Sequence, residues 1–167
     1  MGAKLFVADT HLDNKPANEY RWLLFPKLEE WVQKYNVTQV WILGDLTDAK
    51  EGHNAVFVNR LVTAITDLSE LAEVFILRGN HDYLLRDCAF FEFLDKLDNV
   101  TWIDEVTAVG DVLCFPHSKN PSEDWEQWLD TLEDYSYSIF HQCFVGSRSS
   151  MGHILEGTDL DLSLIHI

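Results

Sequence analysis

Short apolar runs alternate along the chain with longer segments whose apolar residues recur every three or four positions. The runs predict buried strands, and the longer segments predict helices. The predicted strands cover 5–8, 37–43, 74–77, 100–103, 105–109, 112–115 and 136–140, and the predicted helices cover 18–35, 55–71, 90–97 and 121–132. Strands first alternate with helices and a hairpin follows, so the pattern favours an α/β fold with a partly parallel sheet.

The length of 167 residues suits one domain with a substantial hydrophobic core. No repeat, linker or low-complexity segment interrupts the pattern. We therefore expect a single domain over residues 1–161. Four tryptophans, Trp22, Trp31, Trp125 and Trp128, recur at helical spacing, which favours a place in the core over a platform for stacking bases.

Polar residues cluster just after the ends of four predicted strands. The clusters are Asp9-Thr10-His11, Gly44-Asp45-Leu46-Thr47-Asp48, Gly79-Asn80-His81-Asp82 and His141-Gln142. In open α/β sheets, ligands bind outside the carboxyl ends of the strands. We therefore expect the four clusters to converge on one place.

The residue types in these clusters are those that hold divalent metal ions. Asp, His and Asn supply ligands for Mn²⁺, Fe or Zn²⁺, and Asp45 can place one oxygen on each of two ions. Two ions about 3.5–4 Å apart can clamp a phosphate and activate a water for attack. They would also supply the positive charge that the chain lacks, since it has 12 basic residues and 28 acidic ones.

The order Asp-x-His, Gly-Asp-x-x-Asp and Gly-Asn-His-Asp resembles the calcineurin-like metallophosphoesterases, and the resemblance runs from Asp9 to His141. It implies a layered α/β sandwich with two mixed β-sheets flanked by helices. It also implies hydrolysis of phosphoesters at a dinuclear metal centre, with manganese as the first expectation and iron or zinc as alternatives. His141-Gln142 is similar to the repair-exonuclease branch of the family.

The resemblance also implies a role for each residue of the clusters. The implied metal ligands are Asp9, His11 and Asp45 for one ion and Asp45, Asn80 and His141 for the other. His81 is implied as the acid that protonates the leaving oxygen or binds the phosphoryl group. Asp82 would orient His81, and Asp48 would support the site from behind the ligands.

Several residues keep a second interpretation. Asp48 can instead cap the following helix. Arg78 and Arg148 can touch a phosphate, although a place on the surface is favoured for both. The histidines without a partner at ligand spacing, His53, His117 and His153, are expected to face solvent or substrate.

The family pattern ends with Gly-His-x-His, and this chain has no such motif. Gly152-His153-Ile154-Leu155 begins like it but lacks the second histidine. The last six residues, 162–167, are similar to a translated transposon end, so we expect a non-native tail in which His166 has no role. The alternative is a genuine apolar strand. On the first interpretation the domain is incomplete at its C-terminus and two metal ligands are missing.

The net charge of −16 repels a polyanion, so binding of nucleic acid by this chain alone is disfavoured. The charge favours a small phosphodiester, a nucleotide or a phosphoprotein as substrate, whereas His141-Gln142 favours an exonuclease whose partner subunit contacts DNA. A non-catalytic scaffold is the remaining alternative. Three cysteines without a CxxC pair and the lack of a long apolar run predict a cytoplasmic protein and no contact with a membrane.

Overall fold

A computed structural model describes residues 2–85 and 88–148 of the chain, together with Ile154 and Gly157. It contains parallel and antiparallel strands with helices between them, so the predicted α/β class is confirmed. The chain divides into two compact units, the first ending at Ile103 and the second beginning at Asp104. The expectation of one domain over residues 1–161 stays a prediction.

A four-stranded parallel sheet forms the centre of the first unit. Its strands are β1 (Ala3–Val7), β2 (Val37–Leu43), β3 (Glu73–Leu77) and β6 (Val100–Ile103), and they lie in the order β1-β2-β3-β6. Val7, Ile42, Ile76 and Trp102 are aligned across the four strands. Because the strands are parallel and in register, the residues that follow β1, β2 and β3 leave the sheet at the same edge.

Helices α1 (Leu24–Tyr35) and α2 (Ala55–Ser69) connect the first three strands. A 3₁₀ helix, Pro16–Leu23, precedes α1, where the sequence predicted a helix over residues 18–35 with a kink or restart at Pro26. Pro26 lies in the first turn of α1, where the missing N–H needs no partner. The helix ends at Tyr35 because Asn36 takes a left-handed conformation with φ of 51°.

The core of the first unit lies between these helices and one face of the sheet. Apolar residues spaced three and four apart on α2 are buried, among them Phe57, Leu61, Ile65 and Leu68. They belong to the same cluster as Val40, Ile42, Val74 and Ile76 of the sheet and Leu28 and Val32 of α1. Burial of this apolar face, rather than helix propensity, is what stabilises helices of this length.

A small hairpin that the sequence did not predict follows β3. Its strands are β4 (Tyr83–Leu85) and β5 (Cys88–Ala89), which pair antiparallel. A 3₁₀ helix, Glu92–Lys96, then leads toward β6 where a short helix was expected over residues 90–97. Strands of three and two residues carry too few positions for a periodic signal, so the pattern could not reveal them.

The second unit contains a three-stranded mixed sheet. Strands β7 (Thr107–Val109) and β8 (Val112–Phe115) form a hairpin whose turn includes Gly110 with φ of 59°, and β9 (Tyr137–Phe140) pairs parallel to β8. Two short helices, α3 (Pro121–Asp124) and α4 (Glu126–Leu129), replace the single helix predicted over 121–132. They meet at Trp125, which is 1% exposed and packs with Leu113, Phe115 and Leu132.

The four tryptophans singled out in the sequence lie in or against the two cores. Trp22 and Trp125 are buried, while Trp31 and Trp128 are partly buried and pack on the core clusters. The expectation of core positions is therefore confirmed. His153, His166 and residues 162–167 lie outside the described residues. Within the described part of the chain, no helix has the length and apolar character needed to cross a membrane.

The buried face of α2 generates a stability prediction. Leu61 is 0% exposed whereas Val56, on the same helix, is 74% exposed. Leu61→Ala should lower the free energy of unfolding by roughly 2–5 kcal/mol, because the deletion leaves a cavity. Val56→Ala, the matched control, should change it by no more than about 0.5 kcal/mol. Urea denaturation measures both, and equal losses would contradict the described orientation of the helix.

Candidate metal centre

Backbone hydrogen bonds join the loops that follow β1 and β2. The N–H of Asp9 donates to the carbonyl of Gly44 (3.2 Å), and the N–H of His11 donates to the carbonyl of Asp45 (2.8 Å). The N–H of Leu12 then bonds the carbonyl of Leu46 (3.1 Å). These bonds prolong the pairing of the two strands past the end of the sheet, so that two of the predicted clusters lie side by side.

Left-handed backbone conformations recur in these loops. Among residues other than glycine, Asp9, His11 and Asp45 have φ of 53°, 42° and 50°. Gly44, beside Asp45, has φ of 91°. Side chains with a Cβ disfavour this region, and such residues concentrate where function requires an unusual direction of the side chain. Three predicted metal ligands therefore share a sparsely populated backbone conformation.

The carboxylate of Asp45 is buried and is approached from two sides. Its Oδ1 accepts a hydrogen bond from the backbone N–H of His81 (2.8 Å). Its Oδ2 lies 3.4 Å from Nε2 of His11. A Cβ added at Gly79 would stand 2.2 Å from the backbone nitrogen of Asp45 and 2.3 Å from its Oδ1. Glycine is therefore required at residue 79 for the third cluster to close over the second.

The carboxylate of Asp82 holds that third cluster in shape. It is 1% exposed and accepts hydrogen bonds from the backbone N–H groups of Gly79 (2.7 Å) and Thr47 (3.3 Å). These bonds tie the loop after β3 to the loop after β2. The loop that carries His81 is thus held by the carboxylate of Asp82, and the orienting role implied for Asp82 stays a prediction.

The ring of His81 is oriented by a main-chain carbonyl. Its Nδ1 lies 2.8 Å from the carbonyl oxygen of Asp48. Because a carbonyl oxygen only accepts, Nδ1 carries the hydrogen, and Nε2 is then the nitrogen that can exchange a proton or bind a metal. The ring meets that of His11 edge to face, with centroids 4.9 Å apart.

Two groups of ligand atoms result within the first unit. Ligand atoms of His11, Asp48 and His81 lie within 4.8 Å of one another, and so do those of Asp9 and Asp45. Two ligands of one ion are separated by at most roughly 4.4 Å, since each lies about 2.0–2.2 Å from it. The atoms of each group are therefore close to the separation that two ligands of one ion require.

The state of the individual atoms also fits a metal. Nδ1 of His11 is buried and has no hydrogen-bond partner among the described residues. It lies 3.9 Å from Oδ1 of Asp48, too far for a hydrogen bond. The carboxylates of Asp9 and Asp45 repel each other at their separation unless a cation lies between them. The donor set of imidazoles and carboxylates suits Mn²⁺, Fe and Zn²⁺ alike.

Asn80 and His141 are the remaining predicted ligands. Asn80 is partly buried and lies between Gly79 and His81, the two residues whose backbones surround the carboxylate of Asp45. His141 belongs to the second unit, where it directly follows β9 and its N–H donates to the carbonyl of Phe115 (3.1 Å). The assignment of both as ligands stays a prediction.

Two basic residues at the centre were missed by the sequence analysis. Nζ of Lys15 lies 2.9 Å from Oδ2 of Asp48. The hydrogen bond from Lys15 lowers the pKa of the Asp48 carboxyl below its ordinary value. The guanidinium of Arg21 donates to the carbonyl of His11. Lys15 follows the Asp-x-His motif by four residues. A basic residue so close to a predicted metal-binding motif in an acidic chain was the signal that could have revealed its place at the centre.

Comparison with known proteins identifies the family of the chain. The family model described as calcineurin-like phosphoesterase matches residues 4–157. The chain belongs to the calcineurin-like phosphoesterases. Proteins of this family are typically hydrolases that bind divalent metals, and the His and Asp groups described above are candidate ligands for them.

Two individual proteins illustrate the likeness. One is a UDP-2,3-diacylglucosamine hydrolase of Shewanella pealeana, which is 30% identical over 147 residues covering 75% of this chain and 57% of that protein. The other is the crystal structure of a Pseudomonas putida nuclease MPE, with a TM-score of 0.47 and 20% identity over 69% of this chain and 53% of that one. The chain thus spans a little over half the length of each.

Two secondary expectations are corrected by the structure of this phosphoesterase. Asp48 does not cap α2, because the side chain of Asn54 accepts from the N–H of Phe57 (2.9 Å) and fills that role. Arg78 is not a surface residue: it is 7% exposed, and its guanidinium lies over the ring of Tyr83 at 4.5 Å. Arg148 is exposed as expected.

Of the two expectations for His53, a ring that faces solvent is corrected, and a ring that faces substrate stays a prediction. Its ring does not project into solvent but stacks on Phe57 with centroids 4.9 Å apart, and it contacts Phe90 and Phe91 at 4.8 Å each. Burial among these rings lowers the pKa of His53 below its ordinary value. The sequence signal for this contact was the apolar pair Phe90-Phe91, which is distant from His53 along the chain.

His117, for which the same expectation was made, is half-buried.

The close approach at Gly79 generates a prediction. Gly79→Ala should displace Asp45 and weaken binding of Mn²⁺ at least tenfold, because the new methyl group overlaps the backbone and carboxylate of Asp45. Gly52→Ala is the control. Gly52 has φ of +80°, but a Cβ there meets nothing within 4 Å.

The control should therefore lose stability, by about 1–2 kcal/mol, without affecting the metal. Calorimetric titration with Mn²⁺ and thermal unfolding together separate the two effects. If Gly79→Ala binds Mn²⁺ as tightly as the unchanged chain does, the described contact with Asp45 is wrong.

Proposed function

We propose that this chain carries the catalytic centre of a metal-dependent phosphoester hydrolase with two divalent ions. The observation that carries the proposal is the convergence on Asp45. The carboxylate of Asp9 and the ring of His11 come from the loop after β1, the N–H of His81 comes from the loop after β3, and all lie close to this one buried carboxylate. A carboxylate shared in this way is the usual bridge of a two-metal centre.

Each predicted residue has a part in this proposal. The ions would be held by Asp9, His11, Asp45, Asn80 and His141, with Asp48 close enough to His11 to contribute. When bound, two such ions supply Lewis acidity and an activated water. The chain's own residues would orient the phosphoester and handle the proton of the leaving group. Manganese is the first metal to test, followed by iron and zinc.

His81 is the proposed proton donor to the leaving oxygen. The carbonyl of Asp48 fixes the hydrogen on Nδ1. Nε2 is therefore the atom that carries the transferable proton when the ring is protonated. Asp82 maintains the loop that presents the ring, since its carboxylate bonds the N–H of Gly79 two residues before His81.

A small phosphoester is the proposed substrate class. The net charge of −16 opposes the approach of a polyanion such as DNA. The Shewanella relative is named for a substrate that contains a nucleoside diphosphate, which also favours a small molecule. The alternatives are an exonuclease that contacts DNA through a partner subunit and a scaffold without activity. A scaffold needs no proton donor, so the presence of His81 disfavours it.

A cytoplasmic location is proposed with this function. The three cysteines, Cys88, Cys114 and Cys143, are free thiols, and burial raises the pKa of Cys114 to about 12. Unpaired cysteines are typical of reducing compartments.

Role separation between Asp45 and His81 is the first test. Asp45→Asn should abolish Mn²⁺-dependent hydrolysis of bis-p-nitrophenyl phosphate and weaken binding of Mn²⁺, because the bridge loses its charge. His81→Ala should leave Mn²⁺ binding nearly intact and slow turnover by roughly 10²–10⁴-fold, the usual effect of a lost general acid. Asp67→Asn, an exposed position on α2, is the charge-matched control and should change neither quantity.

The outcomes distinguish the alternatives. Equal loss of Mn²⁺ in the two variants would make His81 a metal ligand instead of a proton donor. Binding of Mn²⁺ without any hydrolysis would favour the scaffold.

Substrate class is tested by comparing three substrates at equal phosphoester concentration. The Mn²⁺-loaded chain should hydrolyse bis-p-nitrophenyl phosphate and a nucleoside diphosphate ester faster than a single-stranded oligonucleotide, because the acidic surface repels the polymer. Raising the salt concentration should narrow the difference, since salt screens that repulsion. Faster cleavage of the oligonucleotide at low salt would contradict the proposed class and support the exonuclease.

A further inference from the structure

Lys15 places a positive charge at the edge of the metal centre. Its Nζ lies 2.9 Å from Oδ2 of Asp48 and 3.4 Å from Oδ2 of Asp13. The other oxygen of Asp48 lies 3.9 Å from Nδ1 of His11. A single carboxylate therefore separates the ammonium from a predicted metal ligand.

The backbone of Lys15 is fixed although its side chain is exposed. Its N–H donates to Oδ1 of Asp13 (2.8 Å), whose Oδ2 also accepts from the side chain of Asn18 (2.6 Å). The carbonyl of Asp13 accepts from Nε1 of Trp22 (3.0 Å), and Trp22 is buried in the core. The loop thus holds the Cα of Lys15 beside the centre, while 66% of the side chain stays accessible and can turn.

The surrounding charges give this lysine a specific use. A phosphate that approaches the centre meets the carboxylates of Asp9, Asp13, Asp45 and Asp48. Two other cations of the first unit have partners of their own: Arg21 bonds the carbonyl of His11, and Arg60 pairs with Glu19 at 2.6 and 2.9 Å. The ammonium of Lys15 is an exposed point charge with three donors on a long side chain, which suits a phosphate oxygen.

We propose that Lys15 is a substrate-binding residue that exchanges the carboxylate of Asp48 for an oxygen of the phosphoryl group. This inference rests on the proposed function and deepens it, since it names the side chain that recognises the anion. The exchange costs little because the ion pair with Asp48 is exposed, and exposed pairs of this kind are weak. A cation bound at Asp48 would compete with Lys15 for the same oxygen and favour the exchange.

The proposal predicts different effects on the binding of phosphate and on the binding of the metal cation. Removing the ammonium should weaken binding of an anion and should not weaken binding of a metal cation, which the ammonium repels. A lysine that merely stabilises the loop would instead weaken both when removed. The sign of the two changes therefore separates recognition from structure.

The experiment compares Lys15→Met with Lys27→Met in the full chain. Lys27 is also exposed and also forms one close ion pair, with Glu30 at 2.7 Å, but it lies on α1. Calorimetry measures binding of Mn²⁺ alone, and phosphorus relaxation measures binding of inorganic phosphate to the Mn²⁺-loaded chain. Lys15→Met should bind phosphate roughly five- to tenfold more weakly and Mn²⁺ equally or more tightly. Lys27→Met should match the unchanged chain in both.

A charge-preserving variant strengthens the test. Lys15→Arg should restore most of the phosphate affinity, because guanidinium also binds phosphate oxygens. In hydrolysis of bis-p-nitrophenyl phosphate, Lys15→Met should raise KM more than it lowers kcat.

Two results would overturn the inference. One is phosphate affinity in Lys15→Met equal to that of the unchanged chain, and the other is parallel loss of Mn²⁺ and phosphate. A chain that binds no Mn²⁺ and hydrolyses no ester even before substitution is a different failure. It would reject the proposed function, and the role of Lys15 would be rejected with it.

Discussion

The buried carboxylate of Asp45 is the constraint on which the rest of the site depends. An ionised carboxylate that is only 4% exposed is costly unless hydrogen bonds or cations compensate it. The N–H of His81 supplies one such bond, and the ring of His11 lies against the other oxygen. The absence of a Cβ at Gly79 is what lets the two loops come this close. Packing, backbone conformation and charge are thus arranged around one side chain.

Much of this arrangement could be predicted from the sequence because the strands are apolar runs with sharp ends. The predicted limits of β2, β6 and β8 agree with the structure at both ends. In a parallel sheet, the residues after each run must meet at one edge. Asp9, Asp45 and the loop 79–82 could therefore be assigned to one place without any knowledge of distances.

The features that could not be predicted depend on side-chain contacts between distant segments. Asn54 rather than Asp48 caps α2, and only the path of the loop between them decides which one reaches the helix. The burial of Arg78 depends on the ring of Tyr83, which stands on a hairpin too short for a periodic signal. Lys15 reaches Asp48 because Trp22 and Asn18 fix its loop, and none of these contacts follows from spacing along the chain.

The left-handed residues Asp9, His11 and Asp45 have a consequence for protein engineering. Residues in sparsely populated backbone regions cost of order 1–3 kcal/mol each, although Asp and His tolerate this region better than most. A selection for thermostability alone would therefore find gains at these positions, for instance by glycine or asparagine replacements. Such a selection would remove the predicted ligands first. Stabilised versions of this phosphoesterase are better sought on the helices that the structure describes, which contain none of the predicted ligands.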